Sequence, residues 1–174
     1  MQNQRTFIVA LGGIMAALSI VLMFLSGIVP AAEIALPALA GILLVAVSIE
    51  AGSRWAFLIY GAVCVLSVLL APDKQAAIFY IVFFGHYPLV KKYIEGIHRK
   101  WLQWAAKIGV FDLCMLVAAV LCVSLTGLQL QLSQRLYVIA MIVLLNVTFV
   151  VYDFAISRLI VLYVYRLRKV LKIK

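Results

Sequence analysis

The sequence predicts an all-α, polytopic integral membrane protein of about six transmembrane helices, with both termini on the cytoplasmic side. Three observations lead there. Of 174 residues, 67% are hydrophobic and 12% charged, whereas a soluble domain is roughly half apolar and about a quarter charged. The apolar residues gather in runs close to the ~20 residues that an α-helix needs to cross a ~30 Å hydrocarbon core. The lysines and arginines fall almost wholly on one side of the alternating scheme that those runs imply.

The first run, 7–29, follows Arg5. It is longer than the ~7–15 apolar residues of a signal peptide and reads as a retained helix. Pro30 and Glu33 interrupt it. The second run, 34–49, is short and closes at Glu50-Ala51-Gly52-Ser53-Arg54. The third, 55–71, closes at Pro72-Asp73-Lys74-Gln75, and the fourth, 76–90, is again short. The fifth is 108–128 and the sixth 136–157. Proline, glycine and charge are the expected punctuation of apolar helices.

Two segments have a different character. Residues 91–107 mix Tyr93, Ile94, Ile97, Trp101 and Trp104 with Lys91, Lys92, His98, Arg99, Lys100 and Lys107. Their apolar members recur at helical spacing, which predicts a short amphipathic helix on the inner leaflet. The tail, 158–174, is basic and continues the sixth helix or lies on the same surface. One membrane domain is expected to cover residues 1–174.

Orientation follows from charge. With the N-terminus inside and six spans, thirteen of the 15 basic residues lie inside; only Lys74 and Arg135 lie outside. Dropping or merging one helix would put a basic cluster on the wrong side. The net charge of +9 belongs to clusters beside apolar runs. That placement suits the anionic lipid of a bilayer rather than nucleic acid. The expected location is therefore the cell (cytoplasmic) membrane.

Catalytic signatures are lacking. The sequence has no G-x-S-x-G, P-loop or H-E-x-x-H, and no paired carboxylates on one helix face. Cys64, Cys114 and Cys122 sit inside apolar runs without a C-x-x-C and read as packing residues. No enzyme activity, catalytic residue, cofactor or metal is expected.

Polar groups inside a membrane are functional candidates by default. Asp112 and Asp153 lie near the inner ends of the fifth and sixth helices, where Lys107 and Arg158 are natural partners. An intramembrane enzyme would need Asp112, His86 and Asp153 to converge. Asn146 lies near the middle of the sixth helix, suited to an interhelical hydrogen bond or a ligand. A solute captured from outside would find its polar contacts among Glu33, Tyr80, Arg135, Tyr137 and Asn146.

The first helix is the most patterned. Gly12 and Ala16 form one small-x-x-x-small pair, and Gly13 and Ala17 a second. Small residues one turn apart let another helix approach closely.

Ala10-Leu11-Gly12-Gly13-Ile14-Met15-Ala16-Ala17-Leu18 resembles the alanine-rich A-x-x-x-A motif on the first helix of the S components of energy-coupling-factor transporters. Glycine here replaces the first alanine of each pair. Leu36-Pro37-Ala38-Leu39-Ala40-Gly41 is similar to the proline-then-glycine entry of their second helix. In size and topology the resemblance covers the whole chain; in motif it covers roughly thirty residues.

The resemblance implies a substrate-capturing subunit for uptake of a vitamin-like or other micronutrient. It would dock on a transmembrane coupling subunit through Gly12, Gly13, Ala16 and Ala17, with ATP hydrolysed by separate ATPases. One departure is that Trp55, Trp101 and Trp104 all fall on the inner side, whereas several vitamin-binding members carry tryptophans toward the outer face. The alternative is a non-catalytic scaffold or assembly subunit of the bacterial envelope, as in the similarly sized rod-shape membrane subunit.

Overall fold

The computed structural model describes residues 2–29, 32–126 and 135–167. It is helical, with no strand among the described residues. The chain forms two compact units, residues 1–126 and 127–174.

The first unit holds α1 (Gln2–Ser26), α2 (Ala35–Glu50), α3 (Ser53–Leu70), α4 (Lys74–Phe79), a π-helical turn (Tyr80–Phe84), α5 (Tyr87–Ile94) and α6 (Lys100–Thr126). The second holds α7 (Arg135–Leu162), which widens into a π-helical turn over Tyr163–Leu167. Among the described residues, four helices are long and apolar enough to cross a membrane; these are α1, α3, α6 and α7. With 16 residues, α2 is about 24 Å long and falls short of a ~30 Å hydrocarbon core.

The α1 and α3 helices run side by side in the same direction. Gly12 is in close contact with Ile59, and Gly27, just past the end of α1, packs against Pro72 and Asp73, just past the end of α3. Between them, Ser19 Oγ lies 2.8 Å from Met15 O and 3.3 Å from Ala40 O, linking α1 to α2. The α2–α3 turn is closed by Gly52 at φ +89°, a left-handed conformation that a side chain would strain. Asp73 caps α4 by accepting from the Gln75 N–H at 2.8 Å. Lys74 Nζ reaches back to the Val68 and Ala71 carbonyls at the end of α3, at 2.9 and 3.0 Å.

The fourth apolar run, expected as one helix over 76–90, is instead interrupted. Pro88 has no N–H to offer the carbonyl four residues back. The Gly85 N–H bonds Tyr80 O at 2.8 Å, one residue wider than an α-helical bond. The chain therefore pauses at Gly85-His86 and resumes as α5.

Residues 91–107 are likewise not one amphipathic helix. Lys91–Ile94 is the last turn of α5, residues 95–99 form a turn, and α6 starts at Lys100. Gln103 Nε2 holds that turn by donating to Glu95 O and Ile97 O, at 3.1 and 2.5 Å. Helix α6 thus starts before 108, because a helix continues through charged residues once it leaves the lipid. Helix α7 passes the expected end at 157 into the basic tail, whose remainder beyond 167 lies outside the described residues.

Much of the apolar surface of both units is exposed. Leu58, Val65 and Leu69 on α3 each expose more than half their surface, as do Ile139, Leu144, Val147 and Val151 on α7. Leaving one such side chain in water forgoes about 1.5–3 kcal/mol of burial. Lipid removes that penalty, and the all-round apolar α7 is the form expected of a helix bathed in it.

Candidate functional site

The interrupted element is the buried centre of the first unit. Tyr80, Phe83, Tyr87 and Leu89 are almost wholly buried. Phe83 stacks on Tyr87 at 4.8 Å between ring centroids and meets Phe84 and the α6 residue Phe111 edge-on at 5.3 and 5.2 Å. Such pairs add about 0.5–1.5 kcal/mol each beyond burial.

Two of the backbone carbonyls that the break affects have a clear neighbour. The widened turn gives the Gly85 N–H to Tyr80, so Ile81 O is freed from its usual partner; it accepts the Tyr60 hydroxyl of α3 at 2.6 Å. Phe84 O, deprived by Pro88, lies against Gly41 of α2 so closely that a Cβ there would collide with it. A Cβ on Gly85 would come within 2.5 Å of the Tyr60 ring. The break is thus clamped between α2 and α3.

Two polar clusters flank it. His86 Nε2 lies 3.9 Å from Cys114 Sγ of α6, with the Tyr60 ring edge-on at 6.1 Å. At the α5–α6 turn, Glu95 Oε1 receives Lys107 Nζ at 2.8 Å and Lys91 Nζ at 3.3 Å. Both lysines are nearly buried, while Glu95 is 43% exposed. Lys107 Nζ also lies 5.3 Å from the Trp104 ring centroid. Among the described residues, no group of three or more His, Cys, Asp and Glu could hold a metal ion.

No family model, curated protein or solved structure matches this chain.

The residues expected to contact a solute have different fates. Glu33 is exposed in the turn before α2. Tyr80 belongs to the buried centre, its ring centroid 6.1 Å from that of Tyr60, and does not line an outer surface. Arg135 opens α7 and Tyr137 follows it, but both side chains lie outside the described residues. Asn146 donates to Ile142 O of its own helix at 3.1 Å. Thr148 and Ser157 turn back in the same way, onto Leu144 O and Asp153 O.

Lys107, expected beside Asp112, pairs with Glu95. Asp112 is exposed, two residues before the inward Cys114 and so on a different face of α6. His86 and Asp112 therefore do not converge.

The paired small residues of α1 divide between interior and surface. Gly12 is buried, and a Cβ there would come within 2.6 Å of Ile59 Cδ1, so it serves packing within the fold. Gly13 has no neighbour within 4 Å of such a Cβ, and Ala17 is exposed. Ala16 is half-buried.

Sequence reading missed Tyr60, the Glu95 hub and the contact of Gly41 with Phe84, though Gly41 stood in the proline-then-glycine entry of the second helix. Glu95, the sole acid among the basic residues of 91–107, was a usable signal for ion pairing. Pro88, three residues after Gly85, was a signal for the break. Nothing local marks Tyr60.

Proposed function

We propose that this chain is a non-catalytic membrane subunit that captures a small solute for uptake and docks a coupling subunit through α1. Gly13 and Ala17 carry this reading. They leave a flat, open strip on α1 beside Gly12, which the fold itself uses. Another transmembrane helix can approach such a strip closely. ATPases would act from the cytoplasm as separate subunits.

In this reading α2 and the interrupted α4–α5 element complete six crossings, with both termini cytoplasmic. The cations of the first unit support that orientation. Since α4 starts beside Pro72 and α6 pairs back along the interrupted element, the α5–α6 turn lies at the end opposite Pro72. Lys92, Arg99 and Lys100 are exposed at that turn, and the Pro72 end has Lys74, bonded to carbonyls of α3. A cytoplasmic membrane places the cation-rich end inside.

The test is co-purification of tagged protein from mild detergent, analysed for proteins and small molecules. Unaltered protein should retain a coupling subunit with its ATPases and one enriched metabolite. Gly13→Leu with Ala17→Leu should lose the subunit while staying folded. Retention of every partner by that variant would remove the docking strip. Recovery of envelope-assembly proteins without a metabolite would replace the uptake role by a scaffold. That second reading draws on the filled aromatic centre of the first unit, where Tyr80, Phe83 and Tyr87 occupy the interior.

A further inference from the structure

The α5–α6 turn combines three features. Lys92, Arg99 and Lys100 are exposed, and among the described residues their side chains make neither an ion pair nor a hydrogen bond. The one carboxylate in the segment, Glu95, is engaged by Lys91 and Lys107, so it does not offset the exposed cations. Tyr93 and Trp101, 61% and 66% exposed, flank them with amphipathic rings.

Rings of this kind settle at the depth of lipid headgroups. Cations at that depth meet phosphodiester oxygens, which an arginine fork can bind with two parallel hydrogen bonds. The turn is also pre-ordered, because Gln103 and Lys107 of α6 both bond Glu95. A ligand there would not have to organise it.

We propose that the α5–α6 turn docks the headgroup of an anionic phospholipid, with Lys92, Arg99 and Lys100 holding the phosphodiester beside Tyr93 and Trp101. The inference is independent of the uptake role. Charge complementarity and the exposed rings select lipid over a soluble anion, which would gain nothing from Tyr93 and Trp101.

The experiment is native mass spectrometry of the full chain in mild detergent, titrated separately with phosphatidylglycerol and phosphatidylcholine. Phosphatidylglycerol should bind preferentially. Each exposed cation removed should weaken its binding by roughly fivefold, so that Lys92→Gln, Arg99→Gln and Lys100→Gln together give about a hundredfold loss. Lys92→Arg with Lys100→Arg should keep the preference. Raising salt from about 0.05 to about 0.5 M should erode it in the unaltered protein. Equal binding of the two lipids, an undiminished preference in the triple glutamine variant, or a preference indifferent to salt would each overturn the proposal.

Discussion

The Tyr60 hydroxyl of α3 donates to the Ile81 carbonyl at 2.6 Å, at the point where the π-helical turn takes away that carbonyl's usual partner. A carbonyl left bare in an apolar interior costs about 1–3 kcal/mol. Tyr60→Phe keeps the ring and removes only the donor. Since the His86 side chain also reaches the Ile81 backbone, the substitution should lower stability by up to about that amount, read as a lower thermal midpoint in detergent. An unchanged midpoint would mean that Ile81 O finds another donor.

Gly41 and Gly13 make a paired test. At Gly41 a methyl group would collide with the Phe84 carbonyl, and overpacking of this kind costs about 1–3 kcal/mol. At Gly13 a methyl group meets open space, and glycine to alanine in a helix interior gains up to about 1 kcal/mol. Gly41→Ala should therefore unfold at lower temperature, and Gly13→Ala at the same or higher temperature. Equal behaviour of the two would contradict the close α2 contact.

Glu95→Gln keeps the shape of the hub but removes its charge. Lys91 and Lys107 stay nearly buried with a weaker acceptor. Hydrogen bonds to charged groups contribute about 1.5–3 kcal/mol, and a loss within that range should appear in denaturant unfolding. An effect well below it would show that other contacts of the two lysines suffice.

Single cysteines test the sidedness. In a variant with Cys64, Cys114 and Cys122 replaced, a cysteine at Lys74 should react with a membrane-impermeant maleimide added to intact cells. One at Lys92 should react only after the membrane is opened. The reverse pattern would invert the orientation.

Much of this architecture was legible from hydropathy alone. The cores of α1, α3, α6 and α7 coincide with the long apolar runs, because a helix surrounded by lipid needs little beyond length and composition. The interior was less legible. Tyr80 stood among the possible solute contacts, and its burial in the π-helical turn was not legible in the sequence. The break before Pro88 leaves hydropathy unchanged, since Phe83, Phe84 and Tyr87 are as apolar as a continuous span would be. Of two adjacent small-residue pairs on α1, spacing could not say which faces Ile59. That depends on where α3 lies, and no local pattern encodes it.

The division between long and short helices also sets an order of assembly. A nascent segment enters the bilayer from the translocon on the strength of its own length and apolarity. Helices α1 and α3 meet that standard unaided. At 16 residues α2 does not, and the segment broken before Pro88 carries released carbonyls that oil alone would not tolerate. Both are instead packed against neighbours within the first unit. For the broken segment, the earlier-made Tyr60 supplies a donor to Ile81 O and the earlier-made Gly41 leaves room for Phe84 O, so the surfaces that receive it are encoded upstream of it in the chain.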